Sequence, residues 1–256
     1  MFVLNSLKQP KQQQMNILLI GYGKMGKGIK ALAIERGHNI VGVVDYDDSY
    51  LLDSEEFIKR INADIAIEFT TPESAWPNIK ACLQHGLPTL CGTTGWTQHW
   101  DEMIALVQQT KGTFFYTANY SIGVNLFFSL NSMLAKLMSH QPDYRLSLEE
   151  IHHIHKKDKP SGTALHLVKD IIAHHKEYST WSLGPSDNKT QILINCIRES
   201  EVAGIHKVTY KGPYDQITIS HEAFSRDGFI QGVLIAAEWL FNQRTSGIYD
   251  MRDVLK

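Results

Sequence analysis

The densest chemistry in the chain lies at Glu150-Ile151-His152-His153-Ile154-His155-Lys156-Lys157-Asp158-Lys159-Pro160-Ser161-Gly162-Thr163. Three histidines and three lysines fall within residues 152–159, more than a purely structural loop needs. An imidazole, with an ordinary pKa of ~6.5, can hand over a proton near neutrality, and an ammonium beside it can hold an anion. Pro160-Ser161 stands just ahead of the helix-spaced apolar residues Ala164, Leu165, Val168, Ile171 and Ile172, which marks a helix start. The N–H groups of Gly162 and Thr163 would then be free to receive a carboxylate, with Lys156 completing the pocket. His152 and His155 also have the spacing of a metal pair. No carboxylate or thiol follows at a usual ligand spacing and the lysines would repel a cation, so no metal is expected.

A second constellation, Gly21-Tyr22-Gly23-Lys24-Met25-Gly26, is a G-x-G-x-x-G pattern between an apolar run at 16–20 and a helical pattern at 24–36. Gly21 permits the tight turn, Gly23 lets a pyrophosphate approach the backbone, and Gly26 lets helix and strand pack closely. Asp45 ends the next β-branched run, 19 residues beyond Gly26, where an acid can bond both ribose hydroxyls. Tyr46, Asp47 and Asp48 follow it with no arginine, so a 2′-phosphate would meet three carboxylates and NADH is favoured over NADPH. Thr70-Thr71-Pro72 and the loop from Cys91 to Trp96 close two further strands, where small hydroxylated residues suit a ribose and a nicotinamide. Arg198 and His206 flank a later turn, and His221 and Arg226 precede the last helix; each pair reads more as scaffold than as site.

These residues need elements to hold them. Strand signals at 16–20, 39–44, 65–69, 88–91 and 113–116 alternate with helix signals at 24–36, 73–85 and 97–111. That order predicts an α/β fold whose N-terminal part is a Rossmann-type, doubly wound parallel sheet. After a helix at 123–138 come strand signals at 144–152, 191–197, 204–210 and 215–223, with a helix at 162–176 among them. They predict an α+β substrate and oligomerisation domain with an open mixed sheet. A last helix at 228–241 is expected to return to the first domain. The expected division is 15–121 with 228–256 for the dinucleotide, 122–227 for substrate and oligomerisation, and a disordered leader at 1–14.

The 256 residues are 43% hydrophobic and 20% charged, which excludes wholesale disorder. Twenty-five Lys and Arg against 27 Asp and Glu leave a formal charge of −2, no field for a nucleic-acid backbone or an anionic membrane. Three cysteines are too few for a disulfide framework, and no apolar stretch reaches the ~20 residues of a membrane span. A cytoplasmic protein with a small-molecule substrate is expected.

Read together, the motifs resemble those of the dihydrodipicolinate reductase family, from about Met15 to Leu240. Its E-x-H-H-x-x-K-x-D-x-P-S-G-T-A pattern is matched at Glu150, His152, His153, Lys156, Asp158, Pro160, Ser161, Gly162, Thr163 and Ala164. A G-x-x-G-x-M-G opening is matched by Gly23, Met25 and Gly26, and a Gly-Thr-Thr-Gly loop by Gly92 to Gly95. Ala118-Asn119-Tyr120-Ser121 and the late His221, Ala223 and Arg226 also fit, whereas Ser200 stands where the family commonly has glycine. The resemblance implies reduction of a small dianionic cyclic imine by NADH or NADPH in the diaminopimelate route to lysine. It gives His152 as the general acid and Lys156 as its catalytic partner on the ring nitrogen or a carboxylate. His153, Ser161, Gly162 and Thr163 would hold the substrate carboxylate. Cofactor contacts would fall on Gly21, Tyr22, Gly23, Lys24, Met25, Gly26, Asp45, Phe69, Gly92, Thr93, Thr94, Ala118, Asn119 and Tyr120. A homotetramer is implied as well.

Overall fold

A computed structural model describes residues 13–243 and 245–256, so the expected leader lies, but for its last two residues, outside the described part. The chain divides into two compact units, one of residues 1–120 with 230–256 and one of 121–229.

The first unit is built on six parallel strands: β1 (Asn16–Ile20), β2 (Asn39–Val44), β3 (Ile65–Glu68), β4 (Thr89–Cys91), β5 (Thr113–Tyr116) and an edge strand, Gly247–Tyr249. They lie in the order β2-β1-β3-β4-β5 with Gly247–Tyr249 outermost. Strands β3 and β4 are buried throughout, and β1 is buried after its first residue, as a parallel sheet covered on both faces requires. Helix α1 (Lys24–Glu35) follows β1, α2 (Glu55–Ile61) follows β2, α3 (Pro72–Gln84) follows β3 and α4 (Trp100–Thr110) follows β4. On one face Leu18, Ile20, Val44 and Ala66 meet Ala81 and Cys82 of α3, while Trp96, Phe114, Met103 and Val107 form a neighbouring cluster. The segment expected as one helix over 97–111 is a short 3-10 turn at Thr97–His99 followed by α4.

The second unit opens with α5 (Ile122–Met138) and holds a mixed sheet of β6 (Arg145–His152), β7 (Thr180–Leu183), β8 (Gln191–Arg198), β9 (Gly204–Lys211) and β10 (Gln216–Ala223). The order is β10-β9-β6-β8-β7, with β6, β8 and β7 parallel and the β6–β9 and β9–β10 pairs antiparallel. Helix α6 (Gly162–His174) crosses between β6 and β7. Period-two alternation puts Leu146 and Leu148 of β6, Ile192 and Ile194 of β8, and Val208 and Tyr210 of β9 on one face. There they pack with Phe127, Ala135 and Met138 of α5 and Ala164, Leu167, Val168 and Ile171 of α6. The last long helix, α7 (Asp227–Phe241), runs beside α1: Arg36 meets Glu238 at 2.9 Å, and a side chain added at Gly28 would strike Ile230.

Candidate active site

The alternation that builds the second core continues past it along the same face. Two residues beyond Leu148 comes Glu150, then His152; beyond Ile194 come Cys196 and Arg198; and two residues before Val208 stands His206. Register brings them together, since Glu150 lies opposite His206 on one side and Cys196 on the other, and His152 lies opposite Arg198. The inner face of the sheet is therefore apolar under the helices and polar where it meets the start of α6.

Glu150 is fully buried at the centre of this polar end. One carboxylate oxygen accepts from Arg198 Nη2 at 3.1 Å, and the other from the Ser161 backbone N–H at 3.0 Å. His206 Nε2 stands 3.7 Å and His152 Nδ1 3.9 Å from that second oxygen. Burial alone would raise the Glu150 carboxyl, but bonds from Ser161, Cys196 and Arg198 outweigh it and hold the group below its ordinary value. His152 is shifted down, chiefly by burial; Glu150 opposes that shift, and Lys156 and Arg198 add to it. Its imidazole packs edge-on to His206 at 5.0 Å between ring centres. A side chain at Gly204 would come within 3.2 Å of His152 Nε2, so that glycine makes room for the ring.

Ser161 caps α6: its hydroxyl oxygen accepts from Ala164 N at 3.1 Å, and lies 3.1 Å from His206 Nε2. Gly162 is exposed and Thr163 half-buried in the first turn. Lys156 pairs with Asp158 at 2.8 Å, and its carbonyl accepts from Arg198 Nε. His153, half-buried beside His152, has its Nδ1 enclosed with no partner among the described residues. Thus His152, Lys156 and Ser161 gather with Glu150, Arg198 and His206, three residues to which the sequence reading assigned no role. Only Glu150 left a local signal, its even spacing from His152 on one strand; Arg198 and His206 arrive through the strand register. His152, His206 and Glu150 also each bring one potential ligand atom within 4.8 Å of the others, but that carboxylate already accepts from Arg198 at one oxygen and from the Ser161 N–H at the other. His155 is not one of that trio. His221 lies opposite His206 across the β9–β10 pair, packs against Phe127 at 6.0 Å, and adds to the downward shift of His206.

In the first unit, Gly21 turns with φ +92°, and a Cβ there would fall 2.1 Å from the Phe69 carbonyl oxygen. Gly26 is as tight, 2.1 Å from the Gly21 carbonyl oxygen, whereas nothing lies within 4 Å of the Cβ position at Gly23. Gly23 stands at the N-cap of α1 and has no side chain to cap it, so the first-turn N–H groups are left to a ligand. Tyr22, Lys24 and Met25 complete the turn, with Lys27 and Lys30 over the Tyr22 ring. A cavity of about 220 Å³ opens at the carboxyl ends of β1 to β3, lined in part by Gly21, Tyr22, Gly23, Asp45, Phe69 and Thr70. This is the switch point of the sheet, where β2 lies on one side of β1 and β3 on the other. Asp45 is exposed beside it and accepts from Tyr46 N at 3.1 Å.

The open Gly23 edge, the uncapped helix start and an acid at the next strand end fit a dinucleotide. Two predicted cofactor residues are occupied otherwise by their side chains. The Thr93 hydroxyl accepts from Thr70 N at 2.8 Å, tying two loops together, and the buried Tyr120 donates its hydroxyl to Cys91 O at 2.7 Å. Gly92 leaves space for the Phe69 ring, which a Cβ there would enter at 2.1 Å. Thr94 and Ala118 are exposed and Asn119 half-buried. Beneath the loops Glu68 is fully buried, bonded to Thr70 and to Cys91 Sγ.

Comparison with known proteins agrees on both units. Residues 15–120 match the family profile described as dihydrodipicolinate reductase, N-terminus, and residues 123–255 the one described as its C-terminus. The chain is similar to 4-hydroxy-tetrahydrodipicolinate reductase of Christiangramia forsetii, 41% identical over 241 residues that cover 94% of this chain and 98% of the relative. The enzyme of the same name from Lawsonia intracellularis is 31% identical over 260 residues, covering 94% and 99%. A dipicolinate-bound dihydrodipicolinate reductase from Paenisporosarcina sp. TG-14 shares the fold, with a TM-score of 0.77 at 20% identity over 94% of this chain and 99% of that one. No helix among the described residues is long and apolar enough to cross a membrane. The chain belongs to the dihydrodipicolinate reductase family, oxidoreductases that reduce 4-hydroxy-tetrahydrodipicolinate with NAD(P)H in the diaminopimelate route of lysine biosynthesis.

Proposed function

We propose that the polar end of the second sheet is the proton-donating and carboxylate-binding half of this reductase, with His152 as general acid and Lys156 as its catalytic partner. The net reaction takes up one hydride and one proton and releases the 4-hydroxyl as water. Bound NADH or NADPH supplies the hydride. His152 gives the proton to the ring carbon next to the one reduced. In the free chain burial keeps much of this imidazole neutral at pH 7. A dianionic substrate brings negative charge beside it, favours the imidazolium, and so arms the acid only when there is something to protonate.

The observation that carries this reading is the first turn of α6 beside His152. Ser161 reaches back to Ala164, while Gly162 and Thr163 present their N–H groups, and His153 and Lys156 flank them. One substrate carboxylate would sit there, drawing Lys156 from Asp158. Dipicolinate, the ligand of the Paenisporosarcina protein, has the matching planar dicarboxylate chemistry and is expected to bind the same place.

For the cofactor, Gly21 to Gly26 would hold the pyrophosphate and Asp45 the adenosine ribose. Phe69, Gly92, Thr93, Thr94, Ala118, Asn119 and Tyr120 would line the nicotinamide side, Thr93 and Tyr120 through their backbone and ring. Asp45 with Asp47 and Asp48 favours NADH over NADPH. The outer face of the second sheet leaves Ile151, Leu193, Ile197 and Ile205 only half-buried in a single chain, which supports burial against further copies in a homotetramer.

The test couples the chain to a synthase that makes the substrate from pyruvate and aspartate semialdehyde, and follows NADH and NADPH by absorbance. Turnover is expected in the parent and lost in His152→Ala and Lys156→Ala, with NADH binding retained in both. Either variant turning over at the parent rate would sink its assigned role.

A further inference from the structure

His206 has no place in the reaction as described, yet it is almost wholly buried against the serine that starts α6. Its Nε2 faces two oxygens, Ser161 Oγ at 3.1 Å and Glu150 Oε2 at 3.7 Å. Burial, with His152 second, pushes its pKa down to about 3, so the ring is neutral and carries one proton on one of its two nitrogens. Were that proton on Nδ1, the Nε2 lone pair would point at a carboxylate oxygen that can only accept. With the proton on Nε2, an N–H faces two acceptors, and the electrostatics select this tautomer.

The choice decides what the Ser161 hydroxyl can do. Its oxygen already accepts from Ala164 N at 3.1 Å, and the Nε2–H of His206 fills its second lone pair. Glu150 fixes the same residue from the other side by accepting from its backbone N–H at 3.0 Å. With both lone pairs taken, the hydroxyl can only donate: to Glu150, whose carboxyl it helps hold low in the free chain, or to an anion that arrives at the helix start.

We propose that His206 is a positioning residue for the anion site, keeping the Ser161 hydroxyl a committed donor to a bound carboxylate. The proposal rests on the reading that a substrate carboxylate binds at Ser161, Gly162 and Thr163. Glu150 acts with it by setting the tautomer of His206.

The experiment measures dipicolinate dissociation from the NADH-loaded enzyme, KM for the substrate and NADH affinity. It uses four variants: His206→Leu, His206→Gln, Ser161→Ala and the double Ser161→Ala/His206→Leu. Glutamine keeps an N–H donor at the reach of Nε2, and leucine removes it. Losing one hydrogen bond to a charged ligand predicts roughly tenfold weaker dipicolinate binding in His206→Leu, with KM rising more than kcat falls. His206→Gln should bind within a few-fold of the parent, and NADH affinity should not move. In the Ser161→Ala background, the leucine substitution should add nothing.

An equal loss with or without Ser161, or parental binding in His206→Leu, overturns the proposal. Parental dipicolinate binding in Ser161→Ala overturns the carboxylate reading itself, so the two failures are distinct. Should His206→Leu not fold, His206→Asn, a shorter amide that cannot reach Ser161, supplies the same contrast.

Discussion

Replacing Glu150 with glutamine should move the pH dependence of turnover without removing the acid. His152 must be protonated to donate, so log kcat/KM should be level at low pH and fall above the pKa of His152 in the free enzyme. That pKa lies below its ordinary 6.5, with burial the main cause and Glu150 the chief opposing influence. The nearest carboxylate oxygen is 3.9 Å from His152 Nδ1. Coulomb's law at that distance gives ~1 kcal/mol at the dielectric constant of water and ~4 kcal/mol at an effective value of ~20. At ~1.4 kcal/mol per pH unit the charge is worth between about 0.8 and 3 units. Arg198, bonded to the same carboxylate, offsets part of it, and Lys156, Asp158 and His206 remain in place in the variant. The expected move is about one unit toward lower pH, with kcat/KM at pH 7.5 roughly tenfold below the parent.

The assay is the coupled reduction at subsaturating substrate, from about pH 4.5 to 8.5, so that the level and the falling parts are both read. Glutamine keeps the shape of glutamate but leaves the largely buried Arg198 without its counter-charge, which can cost about 3–5 kcal/mol of stability. The position of the falling limb does not depend on how much of the sample is folded, so the readout survives partial loss. NADH binding and a thermal melt report the folded fraction separately. A limb at the parental pH in folded Glu150→Gln would show that this carboxylate does not set the protonation of His152.

Three further expectations follow from other parts of the chain. Asp45→Ser should raise KM for NADH by about tenfold and narrow its advantage over NADPH, because one charged acceptor for the ribose is lost while Asp47 and Asp48 remain; paired kinetics with both coenzymes check it. Ser200 sits at φ +39°, a left-handed conformation that favours glycine, so Ser200→Gly should stabilise by about 0.5–1 kcal/mol and raise the melting temperature by roughly 1–3 °C. His206 titrates near 6.5 in the unfolded chain and at about 3 when folded, so the unfolded state binds the extra proton between those values. Stability should therefore fall as the pH drops from 6.5 toward 3, and urea melts of His206→Gln should show a shallower loss across that window.

The first sheet was legible because its strands are β-branched runs that stop at glycine, aspartate or threonine, and every one from β1 to β5 stands where those runs lie. Elements with little buried surface left weaker marks. Helix α2 spans seven residues with none buried, so it has no apolar stripe; its one signal was Ser54, whose hydroxyl caps Phe57 N. Strand β7 and the strand Gly247–Tyr249 are short edges that borrow their order from β8 and β5. In the site, His152, Lys156 and Ser161 could be read because they are close in sequence. Arg198 and His206 could not, since their meeting with Glu150 depends on a register across three strands that no local pattern records.

That register also explains why a buried carboxylate persists at the end of a sheet. An unpaired Glu150 would be costly there, yet the Ser161 N–H and the Arg198 guanidinium reach it from two different elements, and Cys196 adds a third donor. Each contact fixes something the chemistry needs: Ser161 sets the first turn of α6, Arg198 anchors the loop carrying Lys156 and Asp158 through their carbonyls, and the remaining charge faces His152 and His206. No hydrophobic replacement of Glu150 could keep all of these, even one that packed as well. The carboxylate therefore couples the start of α6 to the protonation of the acid, and a change that loosens one should disturb the other.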